Sequence, residues 1–178
     1  MNPHNDQDQV VLRRLVGCWS GQVRHRIAAD QPFHESTGTA ENRWVLGGRF
    51  VEMTLRALVN GQSWSAVFYI GYERGERRHV LVSLAPGDRQ VTIRRGDWRH
   101  DRSRLVLTSR DRLFDADAPF QSTTICDLSA DGLFQLALTE DAGAGAAFVR
   151  LQATFRPAMM PVLIGQPQAH PPRRFVIA

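Results

Sequence analysis

Apolar and polar positions divide this sequence into a short helical start and a long region of alternation. The helical period of apolar residues is confined to Asp6–Leu15, where Asn5 or Asp6 can cap the first turn. The apolar side of this predicted helix is formed by Val10, Val11, Leu12 and Leu15. Beyond Gly17 the pattern changes to alternating segments rich in Val, Ile, Thr, Phe and Trp, which predict β-strands as far as Arg156.

Short turn signals separate the alternating segments at regular intervals. The strongest is Asn60-Gly61, because both central residues of a type I′ turn need a positive φ. No segment between turns has the helical length that a crossover between parallel strands requires, so the strands are expected to pair antiparallel. The other signals lie at Ala29 to Pro32, Gly47-Gly48, Arg74 to Arg77, Pro86 to Asp88, His100 to Ser103, Asp115 to Pro119, Asp131-Gly132 and Asp141 to Ala146.

The turns delimit about ten strands, and a twisted sheet of that many strands tends to close or to split. Closure removes the exposed edges at which strands of different molecules could pair. The sequence therefore predicts an all-β fold, an antiparallel up-and-down β-barrel over residues 17–156, preceded by residues 1–16 with the short helix. Residues 157–178 hold five prolines and are predicted to form a tail, because proline cannot donate to a sheet ladder.

Two motifs give the chain a family resemblance. Gly17-Cys18-Trp19 resembles the Gly-x-Trp that opens the first strand of lipocalins and other calycin barrels, although Cys18 stands where a threonine is more usual. The block Trp44–Met53, WVLGGRFVEM, followed by Ile70-Gly71-Tyr72, resembles the lipocalin-like family of uncharacterised proteins known as domain of unknown function 1579. The similarity covers residues 10–156. It implies a calycin-like barrel with an interior pocket, and it implies no particular reaction.

The resemblance also implies a contact between the first and last strands. In calycin barrels the tryptophan of the first strand closes one end and is covered by an arginine from the last strand. Arg156 is the matching residue here, and a guanidinium stacks well on an aromatic face. We therefore expect Arg156 to cover Trp19, with structural roles for both.

Strand alternation places an aromatic ladder on one face of the barrel wall, with Trp64, Phe68 and Tyr72 on the same side. Such a ladder lines either a packed core or an apolar pocket. The resemblance favours a pocket, and the first hypothesis is binding of a small hydrophobic or amphiphilic molecule, with a physiological role that stays open. The candidate ligand-binding residues are Trp44, Glu52, Arg56, Trp64, Phe68, Tyr72 and His79.

The segment from Phe50 to Val59 leaves its orientation open. Its odd-numbered positions are apolar throughout, whereas its even-numbered positions include Glu52 and Arg56. If the apolar set packs on the core, Glu52 and Arg56 form surface ion pairs. If the mixed set points inward, the two charged groups orient the polar group of a ligand, because a buried carboxylate needs a compensating partner.

The second hypothesis is an enzyme in the same barrel, a cyclase or isomerase that acts on a bound hydrophobic substrate. Its candidate acid and base residues are Glu52, Tyr72 and His79, whose proton affinities an apolar chamber could shift. Nucleophilic catalysis has less support, because no serine lies in Gly-x-Ser-x-Gly and the chain has no lysine. The third hypothesis is a structural or interaction protein with a filled core.

Histidine and cysteine spacing does not predict a metal site or a cofactor. None of the six histidines shows zinc or iron spacing, and HExxH is absent. Haem is the alternative, with His25 or His79 as the ligand that haem-binding calycins place inside the barrel. Cys18 and Cys126 match no ligand spacing and are predicted to be reduced, buried thiols.

The charge balance, +4 with a pI of 10.0, raises the question of a nucleic-acid partner. Residues 89–112 hold eight arginines, but the aspartates at 88, 97, 101 and 111 are interleaved with them. This pattern predicts a solvated, partly paired rim, and Trp98 alone does not form the stacking platform of an oligonucleotide binder. No nucleic-acid partner is expected.

The remaining expectations concern location and assembly. The start lacks the basic flank and unbroken apolar core of a secretory signal, and no apolar run approaches the roughly 20 residues needed to cross a bilayer. We therefore expect a cytoplasmic protein without a membrane partner. The apolar face of Val51–Val59 and the proline-rich tail also suggest a homodimer.

Overall fold

The computed structural model describes residues 4–26, 28–59, 61–84, 91–99, 103–112, 119–128, 132–141 and 147–158, without the side chains of 4–8, 59, 110–112, 119–121 and 141. A helix, α1 (His4–Leu15), precedes ten strands in this part of the chain. The strands are β1 (Gly17–His25), β2 (His34–Val45), β3 (Phe50–Val59), β4 (Gln62–Glu73), β5 (Arg78–Leu84), β6 (Thr92–Arg99), β7 (Arg104–Arg112), β8 (Pro119–Leu128), β9 (Phe134–Asp141) and β10 (Phe148–Pro157). The predicted tail lies outside the described residues from 159 onward.

The ten strands form a closed barrel in which each strand pairs antiparallel with its neighbours in sequence. β1 closes the barrel by pairing with β10, so that Val23 lies opposite Ala153. The predicted all-β antiparallel barrel with one short helix is therefore confirmed. Because the strands alternate in direction, the odd-numbered strands begin, and the even-numbered strands end, at the same end of the barrel.

The helix α1 marks this end, which we name the helix end; the opposite end is the far end. The carbonyl oxygen of Leu15 accepts hydrogen bonds from Trp19 Nε1 at 2.9 Å and from Asn42 Nδ2 at 2.8 Å. Arg14 Nη2 donates to the carbonyl oxygen of Leu128 at 2.7 Å. The Leu15 carbonyl lies in the last turn of α1, where the helix itself offers no partner, and these bonds fix α1 across the helix end of the barrel.

The helix differs from its prediction in two details. It begins at His4, two residues before the expected start at Asp6. Val11, Leu12 and Leu15 are buried as predicted, but Val10 is 51% exposed because it lies on the flank of the packed stripe.

The pairing of β3 with β4 agrees with a turn at Asn60-Gly61, although Asn60 itself lies outside the described residues. Val59 pairs with Gln62, and Gly61 has φ of +74°, a left-handed conformation that glycine adopts without strain. Farther along the barrel, Gly96 in β6 lies so close to β7 that a Cβ atom there would overlap the carbonyl oxygen of Val106. The absence of a side chain at Gly96 thus allows the sheet to coil tightly enough to close.

Large apolar side chains fill the interior at the helix end. The Trp19 ring meets Phe134 edge-on at a centroid distance of 5.7 Å, and Phe134 stacks on Phe155 at the same distance. Leu12 and Leu15 complete this cluster from the helix. Burial of such side chains stabilises the fold by about 1.5–3 kcal/mol each, so this cluster makes a large contribution to the stability of the barrel.

The expected cover of Trp19 by Arg156 is wrong. Arg156 pairs with Ser20 in the β1–β10 register, and its neighbour Phe155 is fully buried in the interior. Alternation along β10 therefore directs Arg156 outward, where it is exposed, while Trp19 points inward. The Trp19 indole is held by Leu15 and Phe134 instead.

Among the described residues, no helix is long and apolar enough to span a bilayer.

Candidate functional site

Strand β3 turns its apolar positions inward, which settles the orientation that the sequence left open. Val51, Met53 and Leu55 are completely buried, whereas Glu52 and Arg56 project from the outer face. Arg56 Nη1 lies 3.6 Å from the Glu41 carboxylate on the neighbouring strand. The two charged candidates are thus surface groups, as one of the two predicted orientations requires, and neither contacts the interior.

Glu52 takes part in a polar cluster on the outer face of β2, β3 and β4. Arg43 contacts its Oε1 through Nε at 2.9 Å and through Nη2 at 2.7 Å. These hydrogen bonds, together with one from Tyr69, lower the pKa of the Glu52 carboxyl from its ordinary value. The pKa of the Tyr69 hydroxyl is raised, because its proton is held in the hydrogen bond to Glu52. Glu52 is therefore a structural carboxylate in this arrangement.

Three of the other candidates lie on the interior face at the helix end: Trp44, Tyr72 and His79. The rings of Tyr72 and His79 pair across β4 and β5 in edge-on contact, with centroids 5.1 Å apart. His79 is only 3% exposed, and Trp44 packs against the core cluster. The structure thus brings Tyr72 and His79 together beside α1.

The predicted acid and base residues are only partly assembled. Tyr72 and His79 point into the barrel, whereas Glu52 points away from it on the other side of the sheet. Side chains on opposite faces of one sheet cannot share a proton, so Glu52 does not form an acid–base set with Tyr72 or His79. The physical reason is the inward packing of Val51 and Met53, which fixes the register of β3.

Trp64 and Phe68, the remaining candidates, lie on the interior face of β4, with Trp64 nearer the far end and half-buried. The wall around Trp64 is made of small side chains. Gly38, Ala57 and Trp64 follow one another across β2, β3 and β4, and Ala66 adjoins them. The interior side chains are therefore small in this part of the far half, and they are large and aromatic at the helix end.

A polar cluster occupies the interior on the opposite strands of the far half. Arg94, 3% exposed, donates from Nε to Ser122 Oγ and from Nη1 to Ser83 Oγ, both at 2.9 Å. Ser109 Oγ lies 2.9 Å from Ser122 Oγ. The guanidinium of Arg94, which belongs to β6, thus bonds to side chains of β5 and β8. Ser109 of β7 joins the cluster through Ser122. All four residues lie within four positions of the far ends of their strands.

This cluster corrects the predicted solvated rim of arginines. Arg95 and Arg104 do pair on the surface, with Glu73 at 3.0 Å and Asp127 at 2.8 Å. Arg94, however, is buried, while its neighbour Ile93 is 43% exposed. Arg94 has the same alternation phase as Gly96 and Trp98, and Trp98 packs against the core. Counting the alternation from Trp98 would therefore have placed Arg94 on the interior face.

Two histidines face each other where β1 and β2 reach the far end. His25 and His34 are paired in register, and their rings stack with centroids 5.4 Å apart. His25 lies on the same interior face as the buried Val23. Burial, and to a smaller extent the neighbouring His34, lowers the pKa of His25 from the usual 6.5. His25 is therefore a neutral imidazole at physiological pH.

Polar atoms near His25 lack protein partners. Nδ1 and Nε2 of His25 and Oγ of Ser36 are buried, and none of them has a hydrogen-bond partner among the described residues. Ser36 lies opposite Val23, so it shares the interior face with His25. Burying a polar atom without a partner costs about 1–3 kcal/mol, which makes this part of the wall a candidate contact for a polar ligand group.

Among the described residues, cysteines and acidic groups do not combine with the histidines of this wall to form a metal centre. Cys18 and Cys126 are both free, and burial raises the pKa of the Cys126 thiol to about 12. Within the described part of the chain, no three His, Cys, Asp or Glu side chains are grouped so that they could hold a metal ion.

Comparison with known sequences identifies the family of the chain. The model of the family described as protein of unknown function (DUF1579) matches residues 5–154. The chain belongs to the DUF1579 family. The matched segment runs from the second residue of α1 to within three residues of the end of β10, so it spans nearly the whole barrel. No curated protein matches the sequence.

Comparison with solved structures supports the fold independently. The crystal structure of Rv2717c from M. tuberculosis is similar, with a TM-score of 0.62 and 16% sequence identity. The similarity covers 86% of this chain and 98% of that one. At this identity the likeness concerns the fold, and the barrel of this DUF1579 protein therefore has a counterpart in an experimentally solved structure.

Proposed function

We propose that this DUF1579 barrel binds a small amphiphilic molecule in the far half of its interior, as lipocalin-like barrels hold one small ligand. The observation that carries the proposal is a group of buried polar atoms in the far half of the wall, His25 Nδ1, His25 Nε2 and Ser36 Oγ, which have no hydrogen-bond partner in the described part of the chain. A ligand group that both donates and accepts hydrogen bonds would recover the cost of burying them, about 1–3 kcal/mol each. A neutral imidazole and a hydroxyl offer both functions.

The apolar part of the ligand has a suitable wall between this polar region and the helix end. Phe68 and Leu81 lie on the interior faces of β4 and β5, and Trp64 adds a half-buried ring. The small side chains of Ala57 and Ala66 set the wall back in this half, whereas the side chain of Val23 fills the space in front of Gly38. Barrels with small inward residues can hold one small ligand, whereas the aromatic cluster at the helix end fills its own space.

The route of entry follows from the position of α1. Because Leu15 and Arg14 attach the helix across one end of the barrel, the ligand enters from the far end. Trp44, Tyr72 and His79 lie beyond Phe68 on this route, so they contact only a ligand long enough to reach the helix end. Trp64 and Phe68 are therefore the predicted residues with the best support as ligand contacts.

The test is native mass spectrometry of the full chain purified from its own host, compared with the Ala57→Phe variant. Wild-type protein is expected to carry an adduct that denaturation removes. The larger side chain of the variant occupies the small-residue wall, so the variant should lose the adduct and keep its stability to within about 1 kcal/mol, since the added ring enters ligand space. Leu58→Phe, on the exposed outer face, is the matched control and should keep the adduct.

A filled interior predicts the opposite result. If the interior is filled by side chains, wild-type protein carries no adduct and Ala57→Phe lowers the free energy of unfolding by about 1–3 kcal/mol through overpacking. Urea unfolding of the wild type and the two variants measures this difference. That combination would exclude a ligand in the far half of the barrel.

A further inference from the structure

We infer that the ligand is an uncharged amphiphile with a hydroxylated head group, which pairs with both ring nitrogens of His25 at the far end of the barrel. This inference rests on the proposed function, because it names the chemical class of the molecule in the far half of the interior. The ring of His25 carries two buried nitrogens, Nδ1 and Nε2, that have no hydrogen-bond partner in the described part of the chain. His25 is the last residue of β1, so a head group bound to it lies at the far end.

The two nitrogens of His25 need different partners. A neutral imidazole donates from one ring nitrogen and accepts at the other, whichever tautomer it adopts. The nitrogens lie on different edges of the ring, so one ligand atom cannot contact both. A carboxylate offers acceptors only and an ammonium group donors only, and each would leave one buried nitrogen without a partner. The count of donors and acceptors therefore favours a head group with hydroxyls, because each hydroxyl both donates and accepts.

The surroundings of His25 favour the neutral form of its ring. Burial, and to a smaller extent His34, lowers the pKa of His25 from the usual 6.5. A protonated ring would donate from both nitrogens and would suit a carboxylate, but a lowered pKa disfavours this form at neutral pH. Among the described neighbours, Glu35 pairs with Arg24 at 3.0 Å, and Leu151, opposite His25 on β10, is apolar.

The hydroxyl of Ser36 extends the polar wall beside His25. Ser36 lies opposite Val23, so it is the diagonal neighbour of His25 on the interior face, with the two side chains about 7 Å apart. The Ser36 Oγ is also buried and has no partner among the described residues. His34 stacks on one face of the His25 ring at a centroid distance of 5.4 Å, so a ligand reaches the ring at its edges. A head group with two hydroxyls can contact His25 and Ser36 together.

Apolar side chains continue the wall from His25 toward the helix end. Val23 precedes His25 by two positions on the same face and lies opposite Ala153, while Leu151 lies opposite His25 itself. All three apolar side chains are buried. The head group is therefore at the far end and the tail points to the middle of the barrel, as expected for an amphiphile that enters tail first.

The experiment compares two uncharged probes with the same acyl chain. Monodecanoylglycerol and its dimethyl ether are titrated into the full chain at neutral pH below their aggregation limits, with binding followed by tryptophan fluorescence. The ether accepts hydrogen bonds but donates none, so it leaves the accepting nitrogen of His25 unpaired. Wild-type protein is expected to bind the monoglyceride at least about tenfold more tightly. Because the ether is the more apolar probe, apolar burial alone would give the opposite preference.

The variants connect this preference to His25 and Ser36. His25→Phe keeps a ring but has no ring nitrogen, so it should bind the ether at least as tightly as the monoglyceride. Ser36→Ala should weaken the binding of the monoglyceride several-fold, whereas Thr37→Ala, at an exposed position of β2, should leave it unchanged. Circular dichroism checks folding, and Ser36→Ala with its control supplies the test if His25→Phe does not fold.

Three results would contradict these expectations. Equal or tighter binding of the ether by wild-type protein would overturn the hydroxylated head group and leave the proposed function standing. Tighter binding of decanoate than of monodecanoylglycerol would have the same meaning, because decanoate has no donor. Binding of none of the three probes, together with the absence of an adduct in native mass spectrometry, would instead overturn the proposed function.

Discussion

Arg94 Nε donates a 2.9 Å hydrogen bond to Ser122 Oγ within the barrel interior. Ser122 has no exposed surface, and its hydroxyl also bonds to Ser109. Removing this hydroxyl would leave a buried charged donor without one of its acceptors. Ser122→Ala should therefore lower the free energy of unfolding by about 1–3 kcal/mol, measured by urea denaturation.

Ser36→Ala is the matched control for this prediction. The Ser36 hydroxyl is also buried, but it has no hydrogen-bond partner among the described residues. Its removal should leave the stability of the ligand-free protein unchanged or slightly increased, because a desolvated polar atom is lost. Equal destabilisation by both substitutions would contradict the view that Arg94 and Ser122 form a satisfied pair.

The burial of Arg94 in this cluster could not be predicted from the hydropathy of the sequence. Turn dipeptides and strand alternation predict the antiparallel barrel, and they place Trp64 and Phe68 on the interior face correctly. Around the start of β6, however, the apolar residues Val91 and Ile93 occupy one phase of the alternation and Arg94 the other, so hydropathy indicates the wrong face. Serines on β5, β7 and β8 accept or relay hydrogen bonds from Arg94 inside the barrel, and their proximity depends on the register of four strands.

The orientation of β3 could be predicted only as a pair of alternatives for a related reason. The even-numbered face of this strand mixes Glu52 and Arg56 with apolar residues, as both a wet interior and a protein surface do. The structure resolves the choice because Arg43 and Glu41 on β2 offer partners on the outer face. The expected contact between Arg156 and Trp19 is wrong because a family resemblance does not fix the strand register. In this chain the register turns Arg156 outward and Trp19 inward.

Gly96 provides a test of how closely β6 and β7 must approach. A Cβ atom at this position would overlap the carbonyl oxygen of Val106, which belongs to the rigid backbone. Gly96→Ala should lower the free energy of unfolding by about 1–3 kcal/mol or more, because the strands must separate. Gly75→Ala is the control, since nothing lies near its added methyl group, and a gain of about 0.4–1 kcal/mol is expected there. Thermal unfolding followed by circular dichroism compares the two, and similar midpoints would contradict the close approach.

The two cysteines should differ sharply in reactivity. Cys126 is fully buried in the interior, and burial raises its thiol pKa to about 12, whereas Cys18 is partly exposed. Because the thiolate is the reactive form, iodoacetamide at pH 8 should modify Cys18 first and Cys126 only after unfolding. Peptide mass spectrometry of samples taken over time measures both rates. Modification of both residues in denaturant is the control, and equal rates in the native protein would show that the barrel opens readily at β8.

His25 should make the stability of the protein depend on pH in the acidic range. Its pKa in the folded chain lies below the usual 6.5, chiefly because of burial and secondarily because of the charge of His34. As the pH falls below about 6.5, the unfolded chain therefore binds this proton before the folded chain does, and stability decreases. Of the groups around His25, Glu35 pairs with Arg24 at 3.0 Å, and the β10 neighbour Leu151 is apolar.

The measurement is urea unfolding of wild-type protein and His25→Gln between pH 7.5 and 5. Both proteins lose stability through other groups, but the wild type should lose more, since only it carries the imidazole whose protonation favours the unfolded chain. His34→Gln should give an intermediate slope, because it removes the smaller of the two causes and leaves the burial of His25 in place. Parallel stability curves for wild type and His25→Gln would mean that His25 takes up its proton equally well in both states, and the imidazole would then be a solvated group at the far end.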